Sequence, residues 1–379
     1  MPYRSPWMTD EIVSFSDGLR RFIEVELAPH AARWRAQGMA DRTAWLGLGR
    51  IGALCPDIPE IYGGHGGTFA HVAAVCETLE QVLPEMALGV LVHNAVTAQY
   101  IVRFGSEEQK LRWLPSMTEG RVIGAIALTE PGAGSDLQNL CTRAALDGAS
   151  YRITGQKTFI TNGQLADLIV LAVKTEAAAD LSLVVIEANE TPGFSRGRSL
   201  DKIGLQASDT AELFFDEAIV PSKNRLGPRD GLGFAQLMEQ LPTERLALAI
   251  QAVAATERAV DITADYAKNR RAFGKPIFEF QNTAFKLSER RSEACIARVF
   301  VDWCIDRLLR GELDHIQAAI AKWWTTAKQV ETMHECLQLH GGYGYMRDFE
   351  IARRFMDARI QTIYGGTNEV MKMIIAQSL

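Results

Sequence analysis

The sequence predicts a mostly α-helical protein with a β-domain inserted between two helical regions. Apolar residues recur at spacings of three and four from about residue 9 to residue 118. Short β-branched runs separated by Gly, Asn, Asp and Pro follow from about residue 121 to residue 227. The helical spacing then returns from about residue 231 onward. We therefore expect three regions, residues 1–120, 121–230 and 231–379.

The first region is predicted to be an N-terminal helical bundle. Ile12, Phe15, Leu19 and Phe22 follow one another at helical spacing, and a second such run begins at Val75. Residues at these spacings lie on one face of a helix, so each run predicts a helix with one buried face.

The middle region reads as a small antiparallel β-barrel or sandwich. Its runs include YRITGQKTFITNG, ADLIVLAVKT and AELFFDEAIVP, each bounded by turn residues. A Rossmann sheet needs helices that alternate with its strands, and no long helical period interrupts these runs.

The last region reads as a four-helix bundle built from long helices. Leu246, Ala249, Ile250 and Val253 begin a helical period that continues for several turns, and residues 316–339 hold another. Long apolar faces without coiled-coil heptads indicate a bundle, with some of these faces shared between subunits.

Composition excludes several classes of protein. The 40 Lys and Arg against 46 Asp and Glu leave a net charge of −6, whereas nucleic-acid binding favours a basic excess. None of the six cysteines forms a CxxC pair, and no Cys or His cluster has the spacing of a metal site. The first twenty residues lack the apolar segment of a signal peptide, and no apolar run has the length of a membrane span. We expect a soluble, cytoplasmic protein without a metal.

Five short motifs carry the functional signal. They are TEPGAGSD (129–136), KTFITNG (157–163), RRAFGK (270–275) followed by Gln281, QLHGG (338–342) and YGGTNE (364–369). Taken alone, each is typical of an ordinary structural feature: a β-turn, an Asn-Gly turn after a strand, or a glycine break beside a helix. A glycine-rich loop beside hydroxyls also exposes backbone N–H groups that bind anions or ring edges.

Together and in this order, the five motifs closely resemble the acyl-CoA dehydrogenase family of flavoproteins, over essentially the whole chain. The resemblance implies non-covalent FAD, shared between subunits of a homotetramer that is a dimer of dimers. In place of the tryptophan that many members use to cover the flavin, this chain has Phe159. The residues that the resemblance assigns to FAD are Leu128, Thr129, Gly134, Ser135, Phe159, Ile160, Thr161, Arg270, Phe273, Gln281, Gln338, Gly341, Gly342, Thr367 and Glu369.

The catalytic base marks a departure within the family. Many members carry it as the glutamate of a YEGT motif, where this chain has Gly365. Long-chain and isovaleryl-type members instead place it in an LxxER context, and here that context contains Glu244. The resemblance thus assigns Glu244 as the base. A structural alternative is a carboxylate that caps the first turn of a helix after Pro242.

The resemblance also implies the reaction and its partners. The substrate would be a medium- to long-chain acyl-CoA, oxidised to a trans-2-enoyl-CoA with an electron-transferring flavoprotein as acceptor. The substrate-binding positions would be Ser135, Arg245, Tyr364, Gly365 and Gly366. The alternatives are an isovaleryl-type enzyme, an acyl-CoA oxidase or flavin monooxygenase of the same fold, and a flavin-free CoA-binding subunit.

We further expect residues 84–96 to form the floor of the acyl pocket. The small residues Ala87 and Gly89 would leave room for a long tail, although small residues also serve tight helix packing.

Overall fold

The N-terminal part of the chain is helical. The computed structural model describes residues 3–175 and 180–379. Thr9 caps the first helix by accepting a hydrogen bond from the N–H of Ile12, and Ser106 and Gln109 form a reciprocal capping box at the start of α7. The helices are α1 (Asp10–Phe22), α2 (Ala31–Gln37), α3 (Arg42–Arg50), α4 (Phe69–Val82), α5 (Pro84–Leu91), α6 (Ala98–Phe104) and α7 (Glu107–Thr118).

A buried π-helical segment, Val92–Thr97, joins α5 to α6. Such a segment changes the direction in which later side chains point, and π turns are frequent at functional sites. It also contacts the β-domain, because the N–H of Gly124 donates to Nδ1 of His93 at 3.0 Å. The segment therefore fixes α6 relative to both the sheet and the C-terminal helices.

The middle part of the chain forms one seven-stranded sheet in the order β1-β4-β2-β3-β7-β6, with β5 along the other edge of β4. Most pairings are antiparallel, but β1 and β2 both run parallel to β4. The expectation of an antiparallel sheet is wrong at these two pairings. The strands are β1 (Gly124–Ala127), β2 (Arg143–Asp147), β3 (Ser150–Thr161), β4 (Leu168–Thr175), β5 (Leu181–Glu187), β6 (Phe194–Ser199) and β7 (Thr210–Pro221).

The two parallel pairings have one cause. β1 pairs with the start of β4 and β2 with its end, so both lie along one edge of β4 and run in the same direction. The chain advances from Ala127 to Arg143 while β4 advances only from Leu171 to Lys174. β1 and β2 therefore act as two parts of one interrupted strand, and residues 128–142 form a long loop between them. This loop, called the excursion loop below, contains the TEPGAGSD motif.

The C-terminal part is a helical bundle dominated by three long helices, with a short hairpin after the first. The hairpin strands are β8 (Arg271–Ala272) and β9 (Lys275–Pro276). The long helix α8 packs against α9 and α10, and the short helices α11 and α12 pack on α10. The helices are α8 (Gly233–Asn269), α9 (Gln281–Leu309), α10 (His315–His340), α11 (Glu350–Ala358) and α12 (Asn368–Ala376). The mostly α class with an inserted β-domain is confirmed.

One apolar cluster connects the three parts. It contains Leu91 from α5, Val170 from β4, and Leu246 and Val253 from α8, all buried. Because each part contributes to the same core, their relative positions are set by hydrophobic burial rather than by linkers. The junction of α5, α6 and α8 is where the candidate site lies.

Candidate functional site

A buried ion pair joins the first two motifs. Lys157 on β3 is fully buried, and its Nζ donates to Glu130 Oε1 at 2.8 Å and to the carbonyl of Leu128 at 3.0 Å. The Glu130 carboxylate also accepts from the backbone N–H groups of Cys141 and Thr142. Burial lowers the pKa of Lys157 to about 8. A charge this buried is retained only when paired, so the ion pair holds the excursion loop against β3.

The second motif presents an aromatic ring to solvent. The pairing of β3 with β7 is irregular between Lys157 and Ile160, and Phe159 lies in that irregularity with a φ of 59°. A bulge re-aims a side chain, and positive φ is a strained conformation for a bulky residue. Phe159 is 68% exposed, whereas Ile160 is buried and Thr161 is half-buried. The strand is thus distorted to display this ring.

The first motif is held beside the second and is open at its tip. The N–H of Thr158 donates to the carbonyl of Thr129 at 2.9 Å. Gly134 and Ser135 are exposed, and no heavy atom of the described chain lies within 4 Å of where a Cβ on Gly134 would stand. Packing within the chain therefore does not explain the glycine, which leaves its backbone open to a ligand.

Glu244 lies inside α8, about three turns after the helix begins. The helix begins at Gly233 and continues through Pro242, so the alternative of a cap in the first turn is wrong. The packing of both halves of α8 outweighs the N–H that proline lacks. Glu244 is half-buried, and its Oε1 accepts a hydrogen bond from the hydroxyl of Tyr100 at 2.8 Å. Burial raises the pKa of Glu244 to about 7.

The YGGTNE loop lies against the same part of α8. Gly365 has a φ of 63°, and a Cβ there would stand 2.4 Å from Cδ1 of Leu248, one helical turn after Glu244. Residues four apart share a helix face, so Gly365 lies beside the face that carries the glutamate. Tyr364 is half-buried at the start of this loop.

A buried lysine on α10 forms hydrogen bonds to the YGGTNE loop. Lys322 on α10 donates to the carbonyl of Gly366 at 2.7 Å and to Oδ1 of Asn368 at 3.0 Å. Burial and the nearby Arg245 lower the pKa of Lys322 to about 7. Thr367 caps α12 by accepting from the N–H of Val370. The loop geometry therefore depends on α10 and α12 as well as on its glycines.

Arg245 is buried beside the glutamate and the loop. Its Nη2 lies 3.9 Å from where a Cβ on Gly366 would stand. Its buried Nε has no hydrogen-bond partner in the part of the chain that the structure describes. Burial lowers the pKa of Arg245, although guanidinium stays charged. A buried donor without a partner is available to a ligand.

The remaining predicted residues form a separate, exposed group at the end of the bundle. Arg270 lies with its guanidinium 5.6 Å from the ring of Tyr343, which brings the RRAFGK hairpin beside the segment after QLHGG. Phe273 is 96% exposed with a φ of 51°. Within residues 3–175 and 180–379, no hydrogen bond or ion pair links this group to Glu244 or to the excursion loop. The exposed members are Arg270, Phe273, Gln281, Gln338, Gly341 and Gly342, and Glu369 is exposed in the first turn of α12.

The expected role of Ala87 and Gly89 in the acyl pocket is wrong. A Cβ on Gly89 would stand 2.8 Å from Oδ1 of Asn162, whose amide donates to the Gly89 carbonyl. Ala87 is buried in a different cluster, with Trp45. These small residues serve close packing of α5 against α3 and the β-domain. Leu88 and Leu91 belong instead to the cluster that includes α8.

Comparison with known proteins gives a consistent result along the chain. Family models for the N-terminal, middle and C-terminal domains of acyl-CoA dehydrogenase match residues 9–121, 125–218 and 231–379. A pig (Sus scrofa) protein named long-chain specific acyl-CoA dehydrogenase, mitochondrial, is 42% identical over 371 residues, which cover 96% of this chain and 85% of the pig protein. The chain belongs to the acyl-CoA dehydrogenase family. It is therefore an enzyme, an oxidoreductase.

Solved structures of acyl-CoA dehydrogenases share the fold. The enzyme from Geobacillus kaustophilus has a TM-score of 0.96 and 46% identity, with 99% of each chain covered. An acyl-CoA dehydrogenase from Bacillus anthracis complexed with FAD has a TM-score of 0.94 and 29% identity, covering 99% of this chain and 68% of that one. No helix among residues 3–175 and 180–379 is long and apolar enough to cross a membrane.

Two residues of this acyl-CoA dehydrogenase site carry no signal in the sequence. Tyr100 and Lys322 stand at ordinary helical positions, and only the tertiary structure brings them to Glu244 and to the YGGTNE loop. Fully buried lysines are rare, but the sequence does not show that Lys322 is buried.

Proposed function

We propose that the protein is an FAD-dependent acyl-CoA dehydrogenase that converts a medium- to long-chain acyl-CoA to the trans-2-enoyl-CoA, with Glu244 as the base. The observation that carries this is Glu244 itself, a half-buried carboxylate whose pKa burial raises to about 7 and whose helix face lies beside Gly365, the position at which a YEGT motif has its glutamate. A general base is most effective when its pKa lies near the working pH.

The residues present fit a flat cofactor. The exposed ring of Phe159 and the open backbone at Gly134 both belong to segments that the Lys157–Glu130 pair ties together. Within one subunit the cofactor would be held by Leu128, Thr129, Gly134, Ser135, Phe159, Ile160, Thr161, Thr367 and Glu369. When bound, FAD supplies the acceptor for the hydride that leaves the β-carbon.

The chain itself activates the α-carbon. The N–H of Gly365 would donate to the thioester carbonyl, which stabilises the negative charge that develops there. Glu244 then takes the α-proton, and the electrons of that C–H bond form the double bond as the β-hydrogen departs as hydride. Arg245, Ser135, Tyr364 and Gly366 would bind the thioester and its pantetheine arm.

The exposed group at the end of the bundle would bind the cofactor of a neighbouring subunit, in a homotetramer. The supporting observation is a solvent-facing apolar stripe on α9. Phe285, Ile296, Val299 and Trp303 are all exposed, and their spacings of 11, 3 and 4 residues are close to whole helical turns. Apolar patches of this kind mark protein contacts.

On this proposal the three predicted regions have distinct roles. The regions are residues 1–120, 121–230 and 231–379. The middle region holds the flavin loops, and the last region holds the base and the loop that polarises the thioester. The first region contributes Tyr100 and the helices that face α8.

The substrate range is tested by anaerobic bleaching of the flavin with straight-chain acyl-CoAs from butyryl-CoA to palmitoyl-CoA, and with isovaleryl-CoA. We expect faster bleaching with the longer chains, in line with the name of the pig relative. Best turnover with isovaleryl-CoA would replace the long-chain assignment by the branched one.

The electron acceptor is tested in the same assay by reoxidation. We expect fast reoxidation with an electron-transferring flavoprotein and slow reoxidation with oxygen. Fast reoxidation by oxygen would identify an oxidase, and purified protein without a flavin band would identify a flavin-free CoA-binding subunit.

A further inference from the structure

The hydroxyl of Tyr100 is the polar group in closest contact with Glu244. Tyr100 lies on α6 and is fully buried, in the apolar cluster that also contains Leu246 and Leu248 of α8. Its hydroxyl lies 2.8 Å from Oε1 of Glu244. In the part of the chain that the structure describes, no other hydrogen bond and no ion pair reaches this carboxylate.

The charged side chains near Glu244 do not contact its carboxylate directly. Arg245 follows Glu244 on α8, and Arg103 follows Tyr100 on α6, but neither forms an ion pair with Glu244 among the described residues. Both guanidinium groups act on Tyr100 through their longer-range field, and Arg245 acts in the same way on Glu244. The hydrogen bond from Tyr100 is therefore the directional contact that orients the carboxylate.

A carboxylate has two oxygens, and the hydrogen bond occupies one of them. With Oε1 held by the phenol, rotation about the last side-chain torsion is restricted, and Oε2 has no hydrogen-bond partner among residues 3–175 and 180–379. A base must reach its proton in a defined geometry, and small misplacements cost large factors in rate.

We propose that Tyr100 is a positioning residue, which holds Oε1 of Glu244 so that Oε2 is the atom that receives the α-proton. This rests on the proposed function, in which Glu244 is the base. A phenol that donates to a carboxylate also favours its ionised form, so Tyr100 opposes the effect of burial on Glu244.

The first test is Tyr100→Phe, which keeps the ring and removes the donor. We expect the acidic limb of kcat/KM against pH to move up by about one unit, because loss of a hydrogen bond to a charged group favours its neutral form. Above that limb, kcat should stay at least about tenfold lower with little change in KM, because the base is misoriented. The isotope effect with α-deuterated lauroyl-CoA should rise, since proton removal becomes more rate-limiting.

The matched control is Tyr151→Phe. Tyr151 is also buried and its hydroxyl donates to a carboxylate, Asp230, at 2.7 Å, but it lies on β3 away from Glu244. We expect this variant to keep the wild-type pH profile and isotope effect. An equal shift in both variants would show a general structural effect and overturn the proposal.

A second variant keeps the hydroxyl. Site-specific replacement Tyr100→3-fluorotyrosine makes the phenol a stronger donor, so the acidic limb should move to lower pH. If Tyr100→Phe does not fold, the 3-fluorotyrosine variant still tests whether Tyr100 positions Glu244. An unchanged limb with 3-fluorotyrosine overturns the proposal.

Different variants test Glu244 as the base and Tyr100 as the residue that positions it. If Glu244→Gln still bleaches the flavin rapidly, the assignment of the base fails, and the role of Tyr100 fails with it. If Glu244→Gln is inactive while Tyr100→Phe keeps the wild-type pH limb, rate and isotope effect, only the role of Tyr100 is overturned.

Discussion

The pKa of Glu244 depends on where α8 places the side chain. An exposed glutamate has a pKa near 4.3 and is too weak a base to take a proton from a carbon next to a thioester. Burial raises the pKa of Glu244 to about 7, while the hydrogen bond from Tyr100 acts in the opposite direction. The side chain is therefore ionised at slightly alkaline pH and yet poorly solvated, which is the state that the proposed role as a base requires.

The first prediction concerns the pH dependence of activity. The base works only when deprotonated, so kcat/KM should rise with pH through about 7 and level off above it. Glu244→Gln should fold, retain flavin and lose at least about a hundredfold in bleaching rate at the plateau. The control is Glu239→Gln, an exposed glutamate on the same helix, which should change neither. An acidic limb near pH 4 would contradict the role that we assign to burial.

At the scale of elements, the site is a contact between the YGGTNE loop and one face of α8. Gly365 approaches Leu248 so closely that a side chain there must displace it. The positive φ of Gly365 adds a backbone cost of about 1–2 kcal/mol for any other residue. A glutamate at position 365 of this chain would therefore require different packing around Leu248.

The second prediction moves the base from the helix to the loop. Combining Glu244→Gly with Gly365→Glu should restore little bleaching, because the new side chain meets Leu248. Adding Leu248→Ala removes the obstructing atoms, so the triple variant should bleach at least about tenfold faster than the double variant. Leu248→Ala alone serves as the control for the cavity it leaves. Equal rates in the double and triple variants would show that Leu248 does not block the loop position.

Helical elements are predictable where local signals agree. At α7, the capping pair Ser106 and Gln109 and the apolar spacing both indicate the start that the structure has. At α8, Pro242 suggests a helix start, but burial of Leu237 and Leu246 on either side of it continues the helix. Local propensity is a weak prior, and tertiary packing overrides it there.

Other features leave no trace in the sequence for a physical reason. Side chains alternate in the same way in parallel and antiparallel strands, so the pattern does not show that β1 runs parallel to β4. Motif residues such as Thr129 and Gly134 are visible because their local chemistry is unusual. Tyr100 is an ordinary helical residue, and its contact with Glu244 spans 144 positions of the chain.

At the scale of the whole molecule, buried ion pairs tie the helical regions together. Arg298 on α9 is buried and bonds Glu77 on α4 and Glu257 on α8. The three helices come from both ends of the chain. Removing one partner of a buried pair leaves the others charged without compensation, which is more costly than the pair is stabilising.

The third prediction is a loss of stability in Arg298→Met. We expect it to lower the free energy of unfolding by about 3–5 kcal/mol, because Glu77 is left buried without its partner. Arg152→Met is the control, since Arg152 pairs with Asp147 at an exposed position and should cost less than about 1 kcal/mol. Thermal unfolding followed by circular dichroism measures both. Similar shifts in Tm would contradict a special role for the buried network.

The fourth prediction links assembly to cofactor retention. The proposed tetramer would cover the apolar stripe of α9 and bring the exposed Arg270 and Phe273 to a neighbouring subunit. Ile296→Lys places a charge in the middle of that stripe, and burying one such side chain supplies about 1.5–3 kcal/mol. We expect light scattering to show smaller species, and the flavin content per subunit to fall, although every flavin loop of the middle region is intact. Leu111→Lys changes a comparably exposed leucine on α7 and should leave mass and flavin content unchanged. A smaller species with full flavin content would show that each subunit holds its cofactor alone.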